Sequence, residues 1–155
     1  MSPAARLLYW WRRLHTLPGG AWLFGRILAM GIPYTGTIRA QVQVVEPGFA
    51  RVELTDRRRV RNHLGSVHAL ALANLGELTT GLAMTATLPP DVRSILKTLH
   101  IDFLKKARGS LIAECTCVVP AVTHAIDHDV SSVITDASGD VVATVTATWR
   151  LSPPA

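Results

Sequence analysis

Cysteine is scarce. Cys115 and Cys117 are the only two in 155 residues, and they lie two apart in "LIAECTCVV". That run reads as a strand, which points both side chains to one face, at a separation near the upper limit for a bridge. They are read as reduced thiols in or near the core, which suits a cytoplasmic protein. A metal site would need more ligands nearby. His124 and His128 in "THAIDHD" are four apart, but that spacing requires a helix, and the segment lies between strand-like runs just after Pro120. A polar loop and no metal are expected there. Aromatic residues are few, at 6%, and do not alternate with the basic ones as they do where bases are stacked, so nucleic acid is not an expected partner. Long uninterrupted apolar runs are also missing. Arg6, Arg12 and Arg13 break up the start, and Arg26 breaks "AWLFGRILAMGI", so neither segment reads as a leader or a membrane span. Acidic residues are outnumbered, 11 against 16 Lys and Arg, for a net charge of +5, which favours an anionic partner such as a membrane surface or a phosphate-bearing small molecule.

What is present is ample apolar matter. At 48% hydrophobic residues, a chain of this length forms a single globular domain, residues 1–155, with a sizeable core. The two N-terminal segments carry aromatic and aliphatic residues at helical spacing with arginines between. They read as amphipathic helices packed on the domain's own sheet or on a second subunit, with peripheral membrane contact as the weaker alternative. After a turn at "PYTG", "TIRAQVQVVEPGFARVELTD" gives two alternating stretches around Pro47-Gly48, a β-hairpin. A helix follows from about Val67 to Met84, ended by "TLPPD". Four further strand-like runs follow, "ILKTLHIDFLKKA", "GSLIAECTCVV", "HDVSSVITD" and "VVATVTATWRLS", then a proline-rich end. The fold class is α+β, an antiparallel sheet wrapped around one long helix.

The helix poses the functional question. From Val67 to Met84 it is nearly all Ala, Leu, Gly, Val and Met, with one acid, Glu77. Such a helix is buried almost all round, and burial raises a carboxyl pKa and costs several kcal/mol unless the group is hydrogen-bonded or protonated. Either Glu77 lies on a narrow solvent edge or pairs with an arginine of "DRRRVR", or it does chemistry. Asn62, His63, Ser66 and His68 gather at the helix start, where free N–H groups and the helix dipole attract negative charge or a polarised carbonyl. Nine residues separate His68 from Glu77, half a turn off in azimuth and about 13 Å in rise, so they are not a dyad within one chain. A second subunit bringing its helix start to Glu77 is required for joint action.

Asn62, Gly65, His68 and then Glu77 stand at the spacing of Asn-x-x-Gly-x-x-His-Gly-Gly followed by an acid nine residues after the His. In this the chain resembles the hotdog-fold thioesterases of the PaaI type, named for phenylacetate degradation. "PYTGTI", "RRRVRNHLGSVHALALANLGEL" and "FLKKARG" resemble a little-characterised bacterial branch of that superfamily, over about Pro33 to Leu151. The resemblance implies a hotdog core, residues 33–155, with residues 1–32 as a helical extension. It also implies hydrolysis of acyl-CoA or a related thioester at sites shared between two subunits of a dimer or dimer of dimers. Coenzyme A enters as part of the substrate and no cofactor is needed. Glu77 matches the acid that attacks the thioester carbonyl or activates water. Ala69 offers its backbone N–H to the oxyanion, Asn62 positions the water or thioester oxygen, and His68 shapes the turn.

The chain departs from that pattern twice. Ala69-Leu70 replace Gly-Gly, and the Leu70 side chain narrows the approach. Gly81 stands where relatives often place Thr or Ser, with Thr80 as the nearest substitute. Ser66 is placed to cap the helix by accepting from His68 or Ala69 N–H, in competition with the oxyanion. Lys105, Lys106 and Arg108, around a turn, suit the phosphates of coenzyme A or form an ordinary solvated turn, and Arg57–Arg61 offer an alternative contact. The rival of another class is a non-catalytic acyl-CoA or lipid-binding module.

Overall fold

The computed structural model describes residues 1–153; Pro154 and Ala155 of the proline-rich end lie outside the described residues. Helix α1, Pro3–Leu14, starts where the Ser2 hydroxyl accepts from Ala5 N–H and Pro3 takes a position that needs no donor. Helix α2, Gly20–Gly31, follows a left-handed Gly19 at φ 74°. Trp11 and Leu14 of α1 and Phe24 of α2 are buried, with the Trp11 and Phe24 rings edge to face at 5.1 Å. Both helices thereby join the domain's own core through one face, while Trp10 of α1 and Trp22, Leu23 and Met30 of α2 stay exposed. Among the described residues no helix is long and apolar enough to cross a membrane.

A 3-10 turn, Thr35–Ile38, leads to β1, Gln41–Glu46, and β2, Phe49–Leu54. The hairpin between them turns on Pro47-Gly48 as expected. Gly48 sits at φ 78°, and a Cβ there would stand 2.6 Å from the Cys117 carbonyl oxygen, so only glycine fits. The central helix, α3, spans Ala69–Thr85, and β3 Arg93–Phe103, β4 Leu111–Thr116, β5 Ile126–Thr135 and β6 Val141–Ser152 complete the chain.

The six strands pair antiparallel in the order β1-β2-β4-β5-β6-β3, a curved sheet around α3. Helix and sheet meet through Leu75, Ala83 and Met84 on one side and Val52, Leu111, Ile134 and Val145 on the other, all fully buried. The approach is closest at Gly76, where a Cβ would fall 2.4 Å from a Val145 methyl.

Three boundaries differ from expectation. The helix starts at Ala69 because Val67 is held in a bridge with Arg61 and His68 is extended. The basic run contains a 3-10 turn, Arg58–Val60. Cys117 lies just beyond β4, its N–H donating to the Gly48 carbonyl at 2.8 Å.

Strand β3 is a sheet edge, paired only with β6 in this chain. Leu99, Ile101 and Phe103 lie opposite Ala147, Val145 and Ala143, so they share the inner face with those buried residues. Yet Leu99 is 38% and Phe103 52% exposed. An irregularity between Leu96 and Thr98 switches the alternation, leaving Ile95 on the outer face opposite Arg150.

Candidate active site

The turn before α3 is organised by one side chain. Asn62 Oδ1 accepts from Leu64 N–H at 2.9 Å, Ser66 N–H at 3.2 Å and the Ser66 hydroxyl at 3.2 Å. Asn62 N–H donates to the Ser66 carbonyl at 2.8 Å, and Gly65 supplies the left-handed residue at φ 70°. The Asn62 oxygen is therefore committed to the turn, and its amide nitrogen is the end left for a ligand. Ser66 is buried and donates to Asn62, so it does not cap the helix as expected. His68 is the cap instead. Its Nδ1 accepts from Leu70 N–H at 3.1 Å, while its own N–H donates to the Val60 carbonyl at 2.7 Å. Ala71 N–H is taken up by the His68 carbonyl at 2.9 Å. Among the described residues Ala69 N–H has no acceptor, so the competition expected from Ser66 is absent. Ala69, His63 and Leu70 are exposed at this corner.

Down the helix, Ala73, Glu77, Gly81 and Thr85 recur every four residues and are half-buried, while the positions between them are buried. This stripe is the open face of α3. Glu77 makes no hydrogen bond or salt bridge among the described residues, and burial pushes its carboxyl pKa above the ordinary value. The arginine pairing weighed from the sequence is not formed: Arg61 holds Asp56 at 2.6 Å, and Arg57 turns inward to donate to the Ile38 carbonyl. Thr80 does not replace the missing hydroxyl at position 81. It is fully buried, and its Oγ1 donates back to the Glu77 carbonyl at 2.9 Å. What stands at Gly81 is Trp149, its ring 3.6 Å from where a Cβ would be. Sequence reasoning did not single out Trp149; the signal was a lone large aromatic on the inward phase of β6.

The basic turn adjoins the helix start. The Ala107 carbonyl accepts from Val67 N–H at 2.8 Å, and Gly109 N–H donates to Asp56 Oδ2 at 2.9 Å. Asp56, also overlooked in the sequence, ties the two turns together. Its hydrogen bond from Arg61 holds its pKa below the ordinary value despite some burial. Lys106 and Arg108 are exposed beside it without ion pairs among the described residues. Lys105 differs from expectation because Asp136 at 2.8 Å and Asp140 at 2.6 Å hold its ammonium. Among the described residues no three His, Cys, Asp or Glu are grouped to hold a metal ion.

Within one chain the two halves of this arrangement stay apart. Ala69 N–H and Glu77 lie on one unbroken helix, eight residues and about 12 Å of rise from each other.

A family model described as a domain of unknown function, DUF4442, matches residues 20–151. No curated protein matches the chain. A structural-genomics crystal structure is 26% identical with a TM-score of 0.82, over 96% of this chain and 99% of that one. A thioesterase enzyme from Staphylococcus aureus is 15% identical with a TM-score of 0.69, over 78% of this chain and 99% of that one. A Streptococcus mutans protein bound to acetyl-CoA is 20% identical with a TM-score of 0.64, over 74% of this chain and 90% of that one. Several of the structural neighbours are named as thioesterases, one of them, from Ralstonia eutropha, as related to phenylacetic acid degradation. With most of its length matched by one model and its sheet and helix arranged as in these neighbours, the chain belongs to the DUF4442 family and has the hotdog fold.

Proposed function

We propose that the protein hydrolyses acyl-CoA or a related thioester as a homodimer or dimer of dimers, with each site shared between two chains. The observation that carries this reading is Glu77, a half-buried carboxylate on the open face of α3 that has no cation or donor among the described residues. In the assembled site the partner's helix start faces it. The unengaged Ala69 N–H donates to the developing oxyanion, and the Asn62 amide nitrogen orients the thioester oxygen or the water. Glu77 either draws the proton from that water as it attacks the carbonyl and passes it to the departing sulfur, or attacks the carbonyl itself to form a mixed anhydride that water then hydrolyses, the thiolate taking its proton from solvent. The C–S bond breaks and coenzyme A leaves as the thiol, with no cofactor required. His68 holds the turn in the shape that frees Ala69. His63, Gly65, Ser66 and Leu70 border the approach, and Thr80 acts through the helix backbone. Lys106 and Arg108 meet the phosphates, while Lys105 steadies their turn through Asp136 and Asp140. Support for the dimer comes from the exposed inner face of β3. The free thiols of Cys115 and Cys117 fit a cytoplasmic setting.

Glu77→Gln is expected to abolish release of free coenzyme A from a panel of acyl-CoAs, read with a thiol reagent, while folding and coenzyme A binding persist. Unchanged hydrolysis would sink the mechanism. One observation favours a second reading, a binding module without turnover: Leu70 is 64% exposed at the helix start where the PaaI-type pattern it resembles has glycine. Saturable acyl-CoA binding without thiol release by the unaltered protein would select that reading.

A further inference from the structure

The N-terminal helices take no part in the proposed chemistry, yet α2 closes a second cavity. It lies between α2, the turn Thr35–Ile38, β1 and α3, opens to solvent on one side, and has a volume of about 330 Å³, at the lower end of the range, about 300–1,000 Å³, of small-molecule sites. Its walls differ in character. Leu28, Ile32 and Leu78 make part apolar, while Arg26, Arg39 and Arg57 make part cationic, and among the described residues no Asp or Glu lines it.

That charge is uncompensated. Arg51, Arg61 and Arg150 each hold a carboxylate elsewhere in the fold, but the three cavity arginines hold none among the described residues. Arg26 lies over the Trp22 ring, 5.9 Å from its centre. Arg57 donates through Nη2 to the Ile38 carbonyl, and its Nε is buried with no acceptor. Burial, and then the nearby charges of Arg39 and Arg59, hold its pKa below the ordinary arginine value. Arg39 sits at φ 48°, the one non-glycine in the left-handed region among the described residues, a strained conformation of the kind that clusters at ligand clamps. A buried donor without a partner and like charges around one hollow are both relieved by an anion.

We propose that this cavity binds an anionic amphiphile, its carboxylate or phosphate head on Arg39 and Arg57 and its apolar part along α2 and Leu78. The inference does not depend on the thioesterase reading. Arginine suits either head because its planar fork donates in pairs to carboxylate and phosphate oxygens.

The test is calorimetric titration of the full chain with decanoate, decyl phosphate, decanol and inorganic phosphate. Saturation at one molecule per chain by decanoate, by decyl phosphate or by both is expected, and which of them binds identifies the head. Decanol and inorganic phosphate are each expected to bind at least ten-fold more weakly. Arg57→Gln should weaken the anionic amphiphile at least ten-fold. Arg39→Asn, which tolerates the left-handed backbone and leaves the Ile38 contact intact, should do the same with an unchanged circular dichroism spectrum. Glu77→Gln should leave this binding unaltered, which separates the cavity from the proposed thioester site. Absence of saturation by both anionic amphiphiles, indifference to the Arg39 and Arg57 substitutions, or equal binding of decanol or inorganic phosphate would overturn the proposal.

Discussion

Asp56, Asp127 and Asp136 each have a cation in hydrogen-bond contact, and each is held below the ordinary carboxylate range, Asp127 at about 2 between Arg150 and Lys97. Glu77 has no such partner and is shifted the other way by burial. The sign has a consequence for stability. A carboxyl whose folded pKa is raised disfavours folding once it ionises, so the penalty is absent below its unfolded value and grows as pH rises through the folded one. Glu77→Gln is therefore expected to raise the melting temperature at neutral pH, in line with a gain of roughly 0.5–2 kcal/mol. The gain should shrink toward zero as pH falls below the ordinary Glu value, when both side chains are neutral. Thermal unfolding of the two proteins across that pH range checks this. A hydrolase that needs ionised Glu77 should also gain activity as pH rises through the same raised pKa, measured as kcat/KM against pH.

At the scale of the element, α3 offers two glycines with opposite expectations. Gly76 lies against Val145, where a Cβ would fall 2.4 Å from a methyl carbon, and its carbonyl accepts from the buried Ser132 hydroxyl at 3.4 Å. Gly76→Ala is expected to cost about 1–3 kcal/mol through overpacking. Gly81 has Trp149 at 3.6 Å, an ordinary contact for a Cβ, so Gly81→Ala is expected to stabilise by up to about 1 kcal/mol from helix propensity. Urea unfolding of both variants separates them. This difference was not legible in "NLGELTTGLAM", because both glycines carry the same local signal and only the sheet behind the helix distinguishes them. The elements themselves were legible: the Pro47-Gly48 hairpin, the apolar helix and four alternating strands declare themselves by short-range pattern. Their edges were less so. The helix start depends on the Arg61–Val67 bridge and the His68 cap, and the bulge in β3 on its pairing with β6.

For the whole molecule, the edge strand β3 leaves Leu99 and Phe103 open on the face that the rest of the sheet buries. In the proposed dimer a second copy covers them and brings its helix start to the first copy's Glu77, so assembly and activity are expected to fail together. Replacing Leu99 and Phe103 together by Lys should yield a folded monomer without turnover, checked by sedimentation and circular dichroism. Hybrid dimers of one Glu77→Gln chain and one Asn62→Ala chain should regain one intact site of two. Activity of the hybrid no higher than that of either parent assembly would show that the site is not shared.

The sequence by itself determined the order of elements, the apolar character of α3, the Asn62, Gly65, His68 and Glu77 spacing and the positive charge. These are short-range properties, written in periodicity, turn residues and composition. Which polar groups remain free was decided only by tertiary structure, since a side chain's partner comes from wherever the fold brings a complementary atom. Asp56 thus takes Arg61, Asp136 and Asp140 take Lys105, Ser66 takes Asn62, and Thr80 takes its own helix backbone. Among the described residues Glu77 and the Ala69 N–H are left without such partners, and Arg26, Arg39 and Arg57 without a carboxylate, because the fold brings no group of opposite charge within reach of them.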